Sequence, residues 1–176
     1  MNLNKKNVVA WELENVKNAL LMQRENDREN LSMQITNEVN FTHDKWDFTD
    51  KDTFHNKKAA YIYNFKDVET TEYKYVLKRF VLRELYQREN KFTSTQIYFN
   101  VAKKFLIYLE SELKVRSINL LHEKMVISFL EKFYSHVTEK TKQRILIALK
   151  KLLEEIESEA KSIHLREFST VLSAVN

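Results

Sequence analysis

The chain has 176 residues, 43% of them apolar and 12% aromatic, with no Gly, no Pro, no Cys and a formal net charge of +4. Such a composition can build a core and excludes a disordered chain, a disulfide scaffold and any thiolate or Cys-based zinc chemistry. No apolar run reaches the length of a signal peptide or a membrane span, so the expected location is cytoplasmic, with no membrane partner.

Average usage would give a chain of this length roughly 12 Gly and 9 Pro. Without Gly there is no easy route to positive φ, and without Pro nothing interrupts a helix. Both absences predict an all-α, mainly helical fold whose turns rest on Asn, Asp, Ser and Thr. Lys outnumbers Arg 21 to 8 and Ala is sparse. An AT-rich bacterial or phage genome accounts for part of that bias, because Gly, Pro and Ala have GC-rich codons.

In chain order, Val9, Leu13, Val16, Leu20 and Leu21 recur at helical spacing and predict a helix from Val8 to about Arg28. Residues 31–54 are less regular. From Phe41 to Phe54, aromatics alternate with turn formers, which predicts loop with a short strand or a single helical turn. Ala60 to Phe65 is an aromatic run expected to dock as an extended segment. A helix is then predicted from Lys66 or Asp67 to about Glu89, with Val68, Tyr73, Val76, Leu77, Phe80, Val81 and Leu85 on one broad face. After the turn at Asn90, Thr93 or Ser94 is expected to cap a second helix. Its stripe is Ile97, Val101, Phe105, Leu106, Leu109 and Leu113. A third helix is expected from about Leu121 to Tyr134 and a fourth from Thr138 through Ile156. A last one is read over Ile163 to Leu172. The chain thus reads as an N-terminal accessory segment (1–65), a four-helix core (66–157) and a C-terminal linker or helix (158–176).

Charge is concentrated in the helical series. Residues 71–153 carry 17 Lys and Arg against 8 Asp and Glu. Residues 1–70 carry 10 against 12, and residues 154–176 carry 2 against 5. A basic helical module is the electrostatic footprint of a nucleic-acid partner. Two clusters stand out. Thr93, Ser94, Thr95, Gln96 and Tyr98 open the second helix, with Lys103 and Lys104 beside its apolar stripe. Thr138, Lys140, Thr141, Lys142, Gln143 and Arg144 open the fourth. Helix N-termini present free N–H groups and a positive dipole end to phosphate, hydroxyls and cations add contacts, and Gln or Arg reaches base edges. The competing reading is that these are ordinary caps on a solvated face. On residue types alone the two readings are evenly matched.

One stretch, Phe92-Thr-Ser-Thr-Gln-Ile-Tyr-Phe-Asn-Val-Ala-Lys-Lys-Phe-Leu-Ile-Tyr-Leu109, resembles a helix of the core-binding domain of tyrosine recombinases (phage-integrase type). Ser117-Ile118 followed by Met125-Val-Ile-Ser-Phe-Leu130 resembles that domain's third helix. Val137 to Leu152, with its T-x-x-T-x-x-R-x-L spacing from Thr138 to Leu146, resembles the fourth, and Tyr73 to Tyr86 the first. The likeness covers residues 66–157, and its motifs are degenerate and mostly hydrophobic. It implies two crossed helical hairpins that clamp one face of double-stranded DNA. Other recombinase protomers are an implied partner. In that family a separate C-terminal domain supplies the catalytic Arg, Lys and His residues and a Tyr nucleophile. None of these has a counterpart here, because Tyr108 and Tyr134 lie in helical stripes. The resemblance therefore implies the non-catalytic, N-terminal part of a site-specific recombinase of a mobile element or phage, or a short relative, with no catalytic residues and no cofactor.

Other chemistry has weaker signals. His43, Asp44, Asp47, Asp50, Asp52 and His55 are rich in metal-ligand types, but their spacing matches no metal motif, and loop Asp is ordinarily a turn former. No metal site is expected. Trp11 and Trp46 read as packing anchors. His122, His136 and His164 read as satisfied or solvated, and Glu154, Glu155, Glu157 and Glu159 as a solvated acidic face. The rival to DNA binding is a small protein-interaction or regulatory module whose aromatic segment, Phe41 to Phe65, docks a partner protein.

Overall fold

A computed structural model describes residues 40–48, 61–88, 90–160 and 162–173. The helix read at Val8 to Arg28, Trp11, Phe54 and the Asp50, Asp52 and His55 end of the acidic window lie outside the described residues. The described part is mainly helical, with five α-helices and one two-stranded sheet. The chain divides into two compact units, Met1–Lys66 with Val81–Gln96, and Asp67–Phe80 with Ile97–Asn176.

The first unit carries an antiparallel pair, β1 (Lys45–Asp47) and β2 (Ile62–Asn64), with Trp46 opposite Tyr63. Strand alternation turns both of these rings inward and leaves Lys45, Asp47 and Asn64 exposed. The core of this unit is aromatic. Phe41, Trp46, Phe48, Tyr61, Tyr63 and Phe65 are all buried. Trp46 meets Phe65 edge-on at 4.8 Å between centroids, and Tyr61 packs on Phe92 at 4.6 Å. The Trp46 indole N–H donates to the Asn40 carbonyl at 3.0 Å. Asn40 builds the preceding turn with its side chain, whose Oδ1 accepts from the Thr42 N–H at 2.9 Å and hydroxyl at 2.6 Å. An Asn thus does the turn-forming work in a chain without Gly.

The helix α1 (Thr71–Leu82) ends sooner than its periodicity predicts and passes into one π-helical turn, Arg83–Gln87. The buried Glu84 carboxylate accepts from Arg88 and from the Asn90 amide, and so closes that turn. The next helix, α2 (Phe92–Ser111), starts at Phe92 rather than after a Thr93 or Ser94 cap. Its first turn is closed by the Thr95 N–H on the Lys91 carbonyl at 2.9 Å. Phe92 packs on Phe48 and Tyr61, which fixes where the helix begins.

The second unit contains α1 to Phe80, α2 from Ile97, α3 (Glu123–Tyr134), α4 (Glu139–Glu159) and the short α5 (Ser169–Leu172). Its apolar core takes Val76, Leu77 and Phe80 from α1, Phe105, Leu106 and Leu109 from α2, Val126 and Phe129 from α3, and Ile145, Leu149, Leu152 and Ile156 from α4. The predicted stripes supply most of these residues. Ile97 departs furthest from its predicted stripe, lying 47% exposed, and Val101 and Leu113 of the same stripe are half-buried.

Polar groups finish the helix ends. Both oxygens of the buried Glu110 carboxylate accept at 2.8 Å, from the backbone N–H groups of Glu69 and Thr70 just before α1. A negative charge there also meets the positive end of the helix dipole. α4 starts where the sequence predicts, and Thr138 is its N-cap, the hydroxyl accepting from the Thr141 N–H at 3.3 Å. His122 is the N-cap of α3, its Nδ1 accepting from the Lys124 N–H at 3.2 Å. At the end of α2 the Val115 N–H closes onto the Leu109 carbonyl at 2.9 Å, and Lys114 takes φ 57°. That is the left-handed position where Gly normally stands.

The acidic face expected at the end of α4 is not a solvated face. Glu155 is buried and its carboxylate lies 3.2 Å from the buried Arg79 guanidinium, which also meets Glu159. The next segment folds onto the same unit. A 3-10 turn, Leu165–Phe168, and α5 replace the longer helix read over Ile163 to Leu172. Ile163, Phe168 and Val171 are buried, and the Val171 N–H donates to the Glu123 carboxylate at 2.9 Å. No helix among the described residues is long and apolar enough to cross a membrane.

Candidate nucleic-acid interface

The first two turns of α4 form the clearest basic surface. Thr138, Lys140, Thr141, Lys142 and Arg144 are exposed and Gln143 is half-buried. Helical geometry explains the arrangement. The face of α4 that begins at Ile145 is occupied by the core, so the turn before it is left to polar residues. Lys140, Lys142 and Arg144 form no ion pair with a described residue. Thr138 Oγ1 also meets Thr141 Oγ1 at 3.0 Å, so both hydroxyls are partly engaged in capping.

The α2 cluster is divided. Thr93 to Gln96 belong to the first unit, and Tyr98, Lys103 and Lys104 to the second. Thr93 is exposed and Ser94 half-buried, but Thr95 is fully buried. Its expected role as a phosphate contact is corrected accordingly: Thr95 stands four and seven residues before the buried Phe99 and Ala102, on the inward face of the helix, which starts two or three residues earlier than a Thr93 or Ser94 cap would place it. Gln96 is half-buried, with its amide oxygen enclosed. In the second unit Lys103 is largely covered and donates to the Asp67 carboxylate at 3.0 Å. It is a structural ion pair first. Lys104 is exposed, with its ammonium 4.3 Å from the Phe133 ring centroid and 5.1 Å from that of Tyr134. Tyr98 is half-buried beneath the Lys151 ammonium, 5.3 Å from its ring centroid.

Two features escape the sequence reading. Lys151 joins the basic set through its contact with Tyr98, and its place seven residues after Arg144 on one helix was the available signal. The other is a cleft of about 290 Å³ where α3 hands over to α4. It is lined by Ile127, Leu130, Glu131, Tyr134, Ser135, Val137, Glu139 and Lys142. Its existence depends on how two helices diverge, which a linear pattern does not encode. Burial raises the Tyr134 phenol above its ordinary range, so it is a neutral hydroxyl at physiological pH. An aromatic cluster of Phe105, Tyr108, Phe129 and Phe133 backs this region, with Phe105 and Phe129 at 5.1 Å, and the Tyr108 hydroxyl meets Ser128.

No group of His, Asp or Glu among the described residues is placed to hold a metal ion. His43, Asp44 and Asp47 lie on or next to the β1 turn. No family model, no curated protein and no solved structure matches the chain.

Proposed function

We propose that this chain binds double-stranded DNA, as the non-catalytic core-binding part of a site-specific tyrosine recombinase. The observation that carries the reading is the basic first half of α4. Lys140, Lys142 and Arg144 stand exposed and without ion-pair partners among the described residues, next to a capped helix N-terminus. Cations held this way keep their full charge for phosphate, and neutralising phosphates releases counterions. Lys104 and Lys151 extend the positive surface on α2 and α4, and the motif resemblance of residues 66–157 supports the recombinase assignment. Thr141 and Thr138 would set register on the backbone, and Gln143 or Arg144 would reach base edges.

The rival reading, a protein-interaction module docking through the aromatic segment, has less support. Phe41, Trp46, Phe48, Tyr61, Tyr63 and Phe65 are consumed by the first unit's own core. The test is binding to a mixed-sequence duplex by fluorescence anisotropy over a salt series. Replacing Lys140, Lys142 and Arg144 by Ala is expected to lower the slope of log K against log salt by about 0.9 for each lost phosphate contact. An unchanged slope rules out this surface.

A further inference from the structure

We propose that the cleft between α3 and α4 seats one unpaired, amino-bearing nucleobase of a DNA strand; this rests on the DNA-binding reading above. At about 290 Å³ the cleft lies at the small end of ligand sites, which favours a single flat ring system over a larger cofactor. Leu130, Val137 and Tyr134 are half-buried and make an apolar, partly aromatic floor. Bases pack on such surfaces regardless of sequence, because every base has a π face. Glu131, Glu139 and Lys142 are exposed and form the rim. Two carboxylates beside one ammonium disfavour a phosphate inside the cleft. They accept well from the exocyclic amino groups of cytosine and adenine. Lys142 at the rim, with Lys104 against the Tyr134 ring at 5.1 Å, places cations where the backbone flanking such a base would run. Apolar floor, carboxylate rim and flanking cations together match a base with its neighbouring phosphates better than a peptide or an anion.

The experiment compares the full chain on three duplexes of one sequence by anisotropy: fully paired, with one extrahelical cytosine, and with one extrahelical thymine. The cytosine bulge is expected to bind about tenfold tighter than the paired duplex, the size of one base–aromatic contact, with the thymine bulge between them. Ser135→Trp, which fills the cleft from an exposed position, is expected to abolish the bulge preference and leave paired-duplex affinity unchanged, with circular dichroism confirming its fold. Equal affinity of the wild-type chain for all three duplexes overturns the cleft assignment and leaves the DNA-binding reading standing. A bulge preference that survives Ser135→Trp also overturns it. No salt-sensitive binding to any duplex overturns both readings together.

Discussion

Arg79 is the side chain on which most depends in the second unit. A guanidinium and the Glu155 carboxylate are both buried, so each needs the other. Removing one leaves an uncompensated charge, whereas an apolar pair of similar volume is commonly tolerated. Arg79→Leu is therefore expected to lower stability by about 3–5 kcal/mol, and Arg79→Leu with Glu155→Leu to recover most of that loss in chemical denaturation. A double variant as unstable as the single one contradicts this account. Lys114 is the opposite case. It occupies a left-handed position at the end of α2 in which a side chain costs about 1 kcal/mol or more. Lys114→Gly is expected to raise stability by about that amount, and a fall in the denaturation midpoint shows that the strain is absent.

Among the elements, α1 is held at its start by Tyr73 and Glu110. The Tyr73 hydroxyl donates to the Val115 carbonyl at 2.6 Å. Burial first, and then the Glu72 and Glu110 carboxylates, raise its phenol well above the ordinary tyrosine value, with Arg116 opposing. In the unfolded chain the same phenol ionises near pH 10. Above that pH the unfolded state has lost a proton that the native state keeps, so stability falls as pH rises past about 10. Tyr73→Phe is expected to cost about 1 kcal/mol at neutral pH and to flatten the alkaline limb of the stability profile. An alkaline limb unaltered by the substitution removes Tyr73 as its source. At α4, Thr138→Ala is expected to cost about 1 kcal/mol through loss of the cap, measurable in the same denaturation assay.

These elements also show what the sequence made legible. Helical periodicity places Leu77, Phe105, Leu109, Phe129, Ile145 and Leu149 in the core and the start of α4 near Thr138, because both signals are local. Long-range pairing is not local. Nothing in the run Glu154 to Glu159 distinguishes a solvated carboxylate from Glu155, whose partner lies 76 positions earlier on α1. The start of α2 is missed for a similar reason: Phe92 packs on Tyr61 and Phe48, so tertiary packing sets the first turn in place of a hydroxyl cap. The cations at Lys140, Lys142 and Arg144 were legible as a cluster. The structure adds that they are unpaired with any described residue, while Lys103 is committed to Asp67.

Over the whole molecule, the charge asymmetry acquires a location. The excess of Lys and Arg in residues 71–153 is partly neutralised by internal pairs, with Lys103 on Asp67, Arg116 on Glu69 and Lys132 on Glu112. Lys140, Lys142 and Arg144 at the start of α4 are exposed and form no ion pair with a described residue, and Lys104 and Lys151 lie against aromatic rings. On the DNA-binding reading proposed above, this cluster would give an affinity for duplex DNA that falls as salt rises. The most direct test is amide chemical-shift mapping of the full chain titrated with a mixed-sequence duplex. The amides of Thr138 to Arg144 are expected to move most, followed by those around Lys104 and Lys151, while the Trp46 and Tyr63 amides of the aromatic core stay in place. Saturable shifts that leave Thr138 to Arg144 unmoved, or no shifts at low salt, contradict that expectation.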